Sequence, residues 1–409
     1  MSKIEQLIQQ LCPEGVEYKR LGEVCEYVRG VTYSKGDEIQ STDESYVKVL
    51  RANNIDLNTN TLCLDDIKLI STRVRVKQSQ WLKKGDILIC AGSGSKEHIG
   101  KVAYIFEDID YSFGGFMAVV RCSSILETRF LFHYLTGILF RDYLQESISS
   151  STINNLNSSI MNNFLVPLPP LAVQQEIVRI LDAFTELEAE LEAELEARKK
   201  QYAYYRDTLL SFEHDDPKVE WKKLGEIGRI CMCKRIMKHE TSTSGDVPFY
   251  KIGTFGGNAN AFITYETFER YRATYPFPKK GDVLISAAGT IGKSVIFDGE
   301  PAYFQDSNIV WIDNDESVVL NKYLYHFYQT CPWQVSKGGT IARLYNDNLS
   351  KTQIPLPPLP VQEEIVRILD KFEALTTDLQ SGLPAEIEAR KKQYEYYRDQ
   401  LLTFKRKEA

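Results

Sequence analysis

Two stretches of this 409-residue chain repeat one another so closely that they dictate its architecture. Residues 166–184 read VPLPPLAVQQEIVRILDAF, and 188 positions on residues 354–372 read IPLPPLPVQEEIVRILDKF. A second echo follows each, EARKKQYAYYRDTLLSF at 196–212 and EARKKQYEYYRDQLLTF at 388–404. Each pair comes after a long region that differs from its counterpart. A chain duplicated in this way folds as a pseudo-symmetric object, with the repeated parts as scaffold and the divergent parts carrying whatever distinguishes the halves.

Both repeated segments have a helical pattern. In the first, Val173, Ile177, Ile180, Phe184, Leu187, Leu191, Leu195, Tyr202, Tyr205, Leu209 and Phe212 form one stripe, with Arg198 its polar member. A continuous helix over this stretch has ~40 residues and is ~60 Å long. The second copy repeats the stripe as Val361, Ile365, Ile368, Phe372, Leu375, Leu379, Leu383, Ile387, Tyr394, Tyr397, Leu401 and Phe404. So narrow a stripe needs a partner, and each copy is the other's, packed antiparallel. The second copy has four extra residues where Gly382 and Pro384 sit, which predicts a break near 381–384. The first copy fills that place with tandem LEAE, LEAE and LEAR units over 187–198.

Each divergent region opens alike, with GVEYKRLGE from Gly15 and KVEWKKLGE from Lys218. The internal helical segment runs straight into the second opening. A short amphipathic helix bearing Ile4, Leu7, Ile8 and Leu11, followed by GVEYKRLGE, supplies the same continuation to the C-terminal segment if the termini meet. Within the regions, the strand-like runs YVKVL, DILICA, KVAYIF and FMAVVR correspond to VPFYKI, DVLISA, KSVIF and NIVWI. Residues 129–146 and 321–329 read as helices. KKGD at 83–86 and 279–282, and Gly-Lys at 100–101 and 292–293, mark shared turns. The expected class is α+β: two mixed α/β domains, 1–165 (with 1–12 a short helix) and 217–353, separated by two long antiparallel coiled-coil spacer helices, 166–216 and 354–409, as an internal pseudo-two-fold repeat.

With 43% apolar and 26% charged residues the composition is that of a soluble globular protein. No apolar run nears the ~20 residues of a membrane span, and MSKIEQLIQQL is no signal peptide, so a cytoplasmic location without a membrane partner is expected. The eight cysteines are scattered, only Cys231 and Cys233 lie close together, and free thiols are expected. The net charge of −7 is unevenly spread. Residues 166–216 hold 12 acids and 5 bases, while 217–353 hold 17 bases and 14 acids. A nucleic-acid ligand is therefore compatible with the overall charge.

Catalytic patterns are sparse. AGSGSKEHIG at 91–100 and SAAGTIGKS at 286–294 resemble phosphate cradles but match neither glycine fingerprint. The second reads equally as a loop touching phosphates through backbone amides and Lys293. His133 and His326 occupy matching helical positions beside aromatics and read as core or surface histidines. Neither a nucleophile elbow nor a metal-ligand spacing is found, so no catalytic and no metal residue is assigned.

The PLPPL–VQ–EIVRILD–F run followed by EARKKQYxYYRDxLLxF, present twice behind divergent regions, resembles the specificity subunits of type I restriction-modification enzymes. The tandem LEAE units fit the EcoR124-like branch. The resemblance implies two target-recognition domains, each reading one half of a bipartite double-stranded DNA target. It also implies helices that set the gap and dock two methyltransferase (modification) subunits, with restriction/translocase subunits joining through that methyltransferase core. S-adenosylmethionine, ATP and Mg then belong to the partners, and this chain carries no cofactor and no catalysis. Polar residues at the turns are the candidate DNA contacts. In the first region these are Tyr33, Lys35, Arg51, Asn53, Asn54, Arg73, Arg75, Lys77, Ser93, Ser95, Lys96, Thr152, Asn154 and Asn155. In the second they are Lys234, Arg235, Lys238, Lys251, Thr254, Asn258, Asn260, Thr290, Lys293, Thr340, Arg343 and Tyr345. The competing readings are a coiled-coil adaptor without DNA recognition, a silent specificity cassette, and a stand-alone nuclease.

Overall fold

A computed structural model of the chain describes residues 3–40, 45–149, 155–333, 343–378 and 380–408. It divides into two compact units, Met1–Leu191 with Ile387–Ala409, and Glu192–Glu386.

In the first unit, Cys25–Arg29, Met117–Cys122, Ile87–Cys90 and Val102–Tyr104 form a four-stranded antiparallel sheet in that order. The central ILIC strand is fully buried, as expected of an uninterrupted apolar run between neighbours on both sides. A smaller sheet orders Lys68–Ser71, Tyr46–Leu50 and Ser112–Phe113, the last pair parallel. The second unit repeats both sheets. Gly228–Met232, Ile309–Asn314, Val283–Ser286 and Ser294–Ile296 make the larger, and Phe262–Ile263, Val247–Tyr250 and Tyr303–Phe304 the smaller.

The stretch expected as one helix over 129–146 is two, Thr128–Leu135 and Ile138–Ser149. Thr136 and Gly137 interrupt it, where the Thr136 hydroxyl donates to His133 O at 2.9 Å and Gly137 N to Tyr134 O. The second unit has a helix that the sequence reading missed, Tyr265–Thr274, N-capped by Thr264 accepting from Thr267 N. Only Phe268 is buried along it, so its apolar periodicity is weak.

In each unit the PLPPL run closes the sheet region onto its own beginning. Leu165–Leu168 pairs antiparallel with Glu17–Arg20, and Gln353–Leu356 with Glu220–Lys223. Helices begin immediately afterwards, at Leu171 and Leu359. The first runs unbroken through Leu209, its residues to Leu191 in the first unit and the rest in the second. The second copy is two helices, Leu359–Thr377 and Leu383–Leu401. The break falls between Thr377 and Leu383, overlapping the expected place, with Pro384 accepted in the first turn of the new helix.

Helix pairing is antiparallel within each unit. Phe184 stacks on Tyr397 at 5.5 Å while Glu188 pairs with Lys391 at 3.3 Å. In the second unit Phe372 stacks on Tyr205 at 5.2 Å, the same repeat positions with the copies exchanged. Ile177 and Ile365 are buried, with Leu191 close behind, but Ile180, Phe184, Leu187, Leu195, Tyr202, Ile368, Phe372 and Tyr394 are half-buried. Leu375, Tyr205 and Tyr397 are exposed, contrary to a uniformly buried stripe, because a seam between two helices covers only part of each side chain. The fully buried Leu181 lies off the stripe, in the core beneath the first sheet.

The termini meet in the first unit. Val16 N donates to Lys405 O at 2.8 Å, Lys407 N to Val16 O at 2.9 Å, and Tyr18 Oη to Phe404 O at 3.1 Å.

Candidate nucleic-acid interface

The strands of each unit deliver several loops to one end, and short hydrogen bonds tie them together. In the first unit Gly114 N donates to Leu50 O at 2.9 Å and Val31 N to Phe113 O at 2.7 Å. The loops bearing Tyr33, Lys35, Arg51 and Asn53 thus meet the turn at 114–116. Gly92 N donates to Phe116 O, and a bridge joins Gly92 to Asn155, which adds Ser93, Ser95 and Asn155. Arg29 locks this junction. Its Nη1 donates to Asn155 Oδ1 at 3.2 Å and Leu156 O at 3.1 Å, its Nη2 to Gly115 O at 2.7 Å. Arg73, Arg75 and Lys77 flank Val74 and Val76, which pack with Tyr33 against Val31, Val47, Val49 and Ile70. The alternation leaves all three cations exposed, and Gln80 ties their segment to Arg29 O at 3.2 Å.

The second unit builds the same cluster from other side chains. Ala288 bridges Arg343 where Gly92 bridges Asn155, and Leu344 N donates to Ala287 O where Leu156 N donates to Ala91 O. Arg343 Nη2 donates to Ser307 O at 2.9 Å, Arg235 pairs with Asp306 at 2.9 Å, and Gln305 Oε1 accepts from Ile252 N. Lys234, Arg235, Lys251, Thr254, Thr290, Lys293, Arg343 and Tyr345 therefore share one loop cluster. Asn258 and Asn260 are exposed just beyond it. Lys238 sits on the neighbouring 3-10 turn, whose Glu240 holds Arg270 at 2.8 Å.

Several residues singled out from sequence have structural work instead. Asn54 is 1% exposed; its Oδ1 accepts from Arg51 N, and its Nδ2 donates to Cys63 O and Asp66 O. It closes its own loop, which removes it from the base-reading set. Arg51 and Asn53 are partly engaged too, both on Asp66. Lys293 Nζ donates to Phe255 O at 2.6 Å, as its counterpart Lys101 does to Ile55 O at 2.8 Å, so the Gly-Lys landmark pins a loop and the phosphate role is not needed to explain it. The KKGD landmark is a turn cap, with Asp86 accepting from Lys83 N and Asp282 from Lys279 N. Burial pushes the Asp282 carboxyl above its usual range. Thr152, Asn154 and Thr340 lie outside the described residues, as does the side chain of Lys96. Arg29, Phe116, Gln305 and Ser307 join the clusters although no local pattern marks them; only Arg29, ending a strand-like run before a glycine, left a hint.

Behind each cluster, a buried polar chain joins the sheet region to the helices. His133 Nε2 lies 2.8 Å from Asp182 Oδ1 and its Nδ1 2.8 Å from Tyr394 Oη. With the ring neutral, Nε2–H donates to the carboxylate and the tyrosine hydroxyl donates to Nδ1. Burial holds the His133 pKa below its usual value. His326, Asp370 and Tyr202 repeat the arrangement at 2.9 and 3.1 Å. Both histidines are fully buried, the core reading of the two considered. Among the described residues His326, Asp370 and Glu373 are the one trio whose ligand atoms come within 4.8 Å of each other. Lys322 holds Asp370, Tyr325 Oη donates to Glu373 at 2.5 Å, and Tyr202 engages His326, so the trio is a satisfied network.

Two copies of one loop-presenting domain, each bolted to helices shared between the copies, call for comparison with known proteins. The sequence pattern of the type I restriction modification DNA specificity domain matches residues 13–197 and again 218–389. This chain belongs to the type I restriction-modification specificity family. A putative type I restriction enzyme specificity subunit of Haemophilus influenzae is 50% identical over 329 residues, 75% of this chain and 84% of that protein. The EcoR124I/EcoR124II specificity subunit of Escherichia coli is 38% identical over 256 residues, 59% of this chain and 62% of that protein. Among solved structures, a chain from work on complex assembly of a type I restriction-modification system has the same fold. Its TM-score is 0.63 at 21% identity, over 95% of this chain and 98% of that one. As a specificity subunit the chain carries its family's domain twice, and each match runs from the opening clamp strand into the helices. Among the described residues, no helix is long and apolar enough to cross a membrane.

Proposed function

We propose that each unit of this specificity subunit reads one half of a bipartite duplex target, its loop cluster entering the major groove. Exposed cations such as Lys35, Arg75, Lys77, Lys234 and Lys251 meet phosphates, while Asn155, Ser93, Thr290 and Arg343 reach base edges. The helices between set the unspecified gap. Two methyltransferase subunits dock on equivalent helical faces, and restriction/translocase subunits join through them. Methyl transfer from S-adenosylmethionine and the ATP- and Mg-dependent steps are the partners' work, in the cytoplasm. The observation that carries this reading is that the two clusters share one hydrogen-bonded framework, the Gly92–Asn155 and Ala288–Arg343 bridges, yet present different side chains on it. An adaptor has no use for two divergent copies on an unchanged framework.

The test is methylome sequencing of cells carrying the complete system with Arg343→Ala in this chain. The expected outcome is relaxed recognition in one half of the modified sequence with the other half and the gap unchanged. Relaxation in both halves, or a chain that directs no sequence-specific methylation, counts against it.

A further inference from the structure

Phe116 is the feature of the first loop cluster that polar recognition leaves unexplained. It is 73% exposed, and its carbonyl is bonded to Gly92, the residue that bridges Asn155, which Arg29 holds. It does not sit on a slack loop. Its carbonyl accepts from Ala91 N at 2.8 Å and Gly92 N at 2.9 Å, and the turn before it is closed by Met117 N donating to Gly114 O at 2.7 Å. Arg29 holds the adjoining Gly115 carbonyl at 2.7 Å. The ring lies against Gly92 so closely that a Cβ on that glycine would stand 2.9 Å from its Cδ1. A large apolar side chain held at a fixed place and turned to water forgoes the gain of burial.

In the second unit the equivalent residue is Asn308. It too directly precedes its strand, and its carbonyl accepts from Ala287 N at 2.7 Å as Phe116 does from Ala91 N. One backbone position therefore presents a hydrocarbon face in one unit and an amide in the other. The major-groove edge of DNA offers a partner for each: the thymine 5-methyl group for an apolar ring, and the N6/N7 pair of adenine for a carboxamide.

Resting on the functional reading above, we propose that Phe116 is a specificity-determining residue of the first half-site, seating its ring against the 5-methyl group of one thymine. Asn308 marks the same reading position in the second half-site, with an amide in place of the ring.

The test uses the full-length chain assembled with its methyltransferase subunit, on a duplex carrying the sequence that methylome sequencing identifies. Each thymine of the first half-site is replaced in turn by deoxyuridine, which removes only the methyl group. Wild type loses about fourfold in affinity at one position, the value of burying a single methyl-sized group. Phe116→Ala binds the thymine duplex about fourfold more weakly and no longer distinguishes deoxyuridine there. Its thermal unfolding stays at the wild-type temperature, because the ring is exposed. Gly92→Ala, whose added methyl displaces the ring without removing it, loses the same discrimination. Wild-type indifference to deoxyuridine at every first-half thymine overturns the proposal, as does discrimination that survives Phe116→Ala. An assembly that prefers no sequence at all overturns the underlying functional reading, and this inference with it.

Discussion

Gln174 and Gln362, each in the VQ of its repeat, are 0% and 1% exposed and act as hubs. Gln174 Oε1 accepts from Glu127 N at 2.7 Å while its Nε2 donates to Pro169 O and Ile125 O. Gln362 makes the same three bonds to Leu320 N, Pro357 O and Val318 O. Gln174→Leu leaves three backbone groups without partners in a dry setting and is expected to cost about 2–4 kcal/mol, read as a lowered denaturant midpoint of the first unit. The ionisable residues add a pH dependence of definite sign. Hydrogen bonds from Arg179 and Lys3 lower Glu176 from 4.5 to about 2. Burial pushes the Asp182 carboxyl up, but His133 and Arg129 more than offset it, and the group ends below its usual value. Depressed carboxyl pKa values stabilise the fold fully above the unfolded-chain values and lose that contribution as pH falls through the folded ones. His133 acts in the same direction from higher pH, because the unfolded chain takes up its proton first. Unfolding free energy is therefore expected to decline below about pH 6.5 and more steeply from about 4.5 toward 2. Glu176→Gln should flatten the lower limb, and a stability independent of pH across that range contradicts the assignment.

The two copies of the helical segment differ as elements. The first is one helix of 39 residues that contains the tandem four-residue units. Removing 191–194 shortens it by ~6 Å and rotates its distal portion by ~40°. The expected consequence, read by methylome sequencing, is a target gap about one base pair shorter, close to the ~35° per base pair of a 10–10.5 bp turn, with both half-sites intact. The second copy breaks where Gly382 comes close to the Ala374, Asp378 and Leu375 carbonyls. A Cβ on Gly382 would stand 2.7 Å from two of those oxygens, so Gly382→Ala should destabilise by about 1–3 kcal/mol in thermal unfolding. The distal parts of both copies also turn the same aromatic outward, Tyr204 at 66% and Tyr396 at 58% exposure, each edge-on to a neighbouring tyrosine. If these faces dock the methyltransferase subunits, Tyr204→Ala or Tyr396→Ala alone leaves one bound and the double variant none, which native mass spectrometry distinguishes.

For the whole molecule, closure of the first unit by its two termini has a direct consequence. Residues 405–407 bond to Val16 in the first unit, while an unbroken chain links Phe212 to Lys218 in the second. Joining the present termini with a short linker and opening the chain within 213–217 exchanges which unit is interrupted. The permuted protein should fold with near-native stability and direct methylation of the same target. Loss of folding would show that the interrupted and continuous connections are not equivalent.

Much of this was legible in the residues because it is local. Strand runs, the long helix and the break by Pro384 follow from periodicity and proline chemistry, each encoded within a few turns of chain, and the meeting of the termini follows from the duplication. Two helices where 129–146 reads as one, and the helix at 265–274, escaped because Gly137 is a single weak breaker and the second helix buries one residue. The tertiary structure alone decided which polar residues face inward. Asn54, Lys101, Gln174 and His133 carry the same chemistry as surface residues, and backbone or side-chain groups that the fold brings to them claim them. It alone also decided what the loop clusters contain. Arg29, Gly92, Phe116 and Asn155 are far apart in the chain and follow no period, and the sheet's hydrogen bonds bring them to one place.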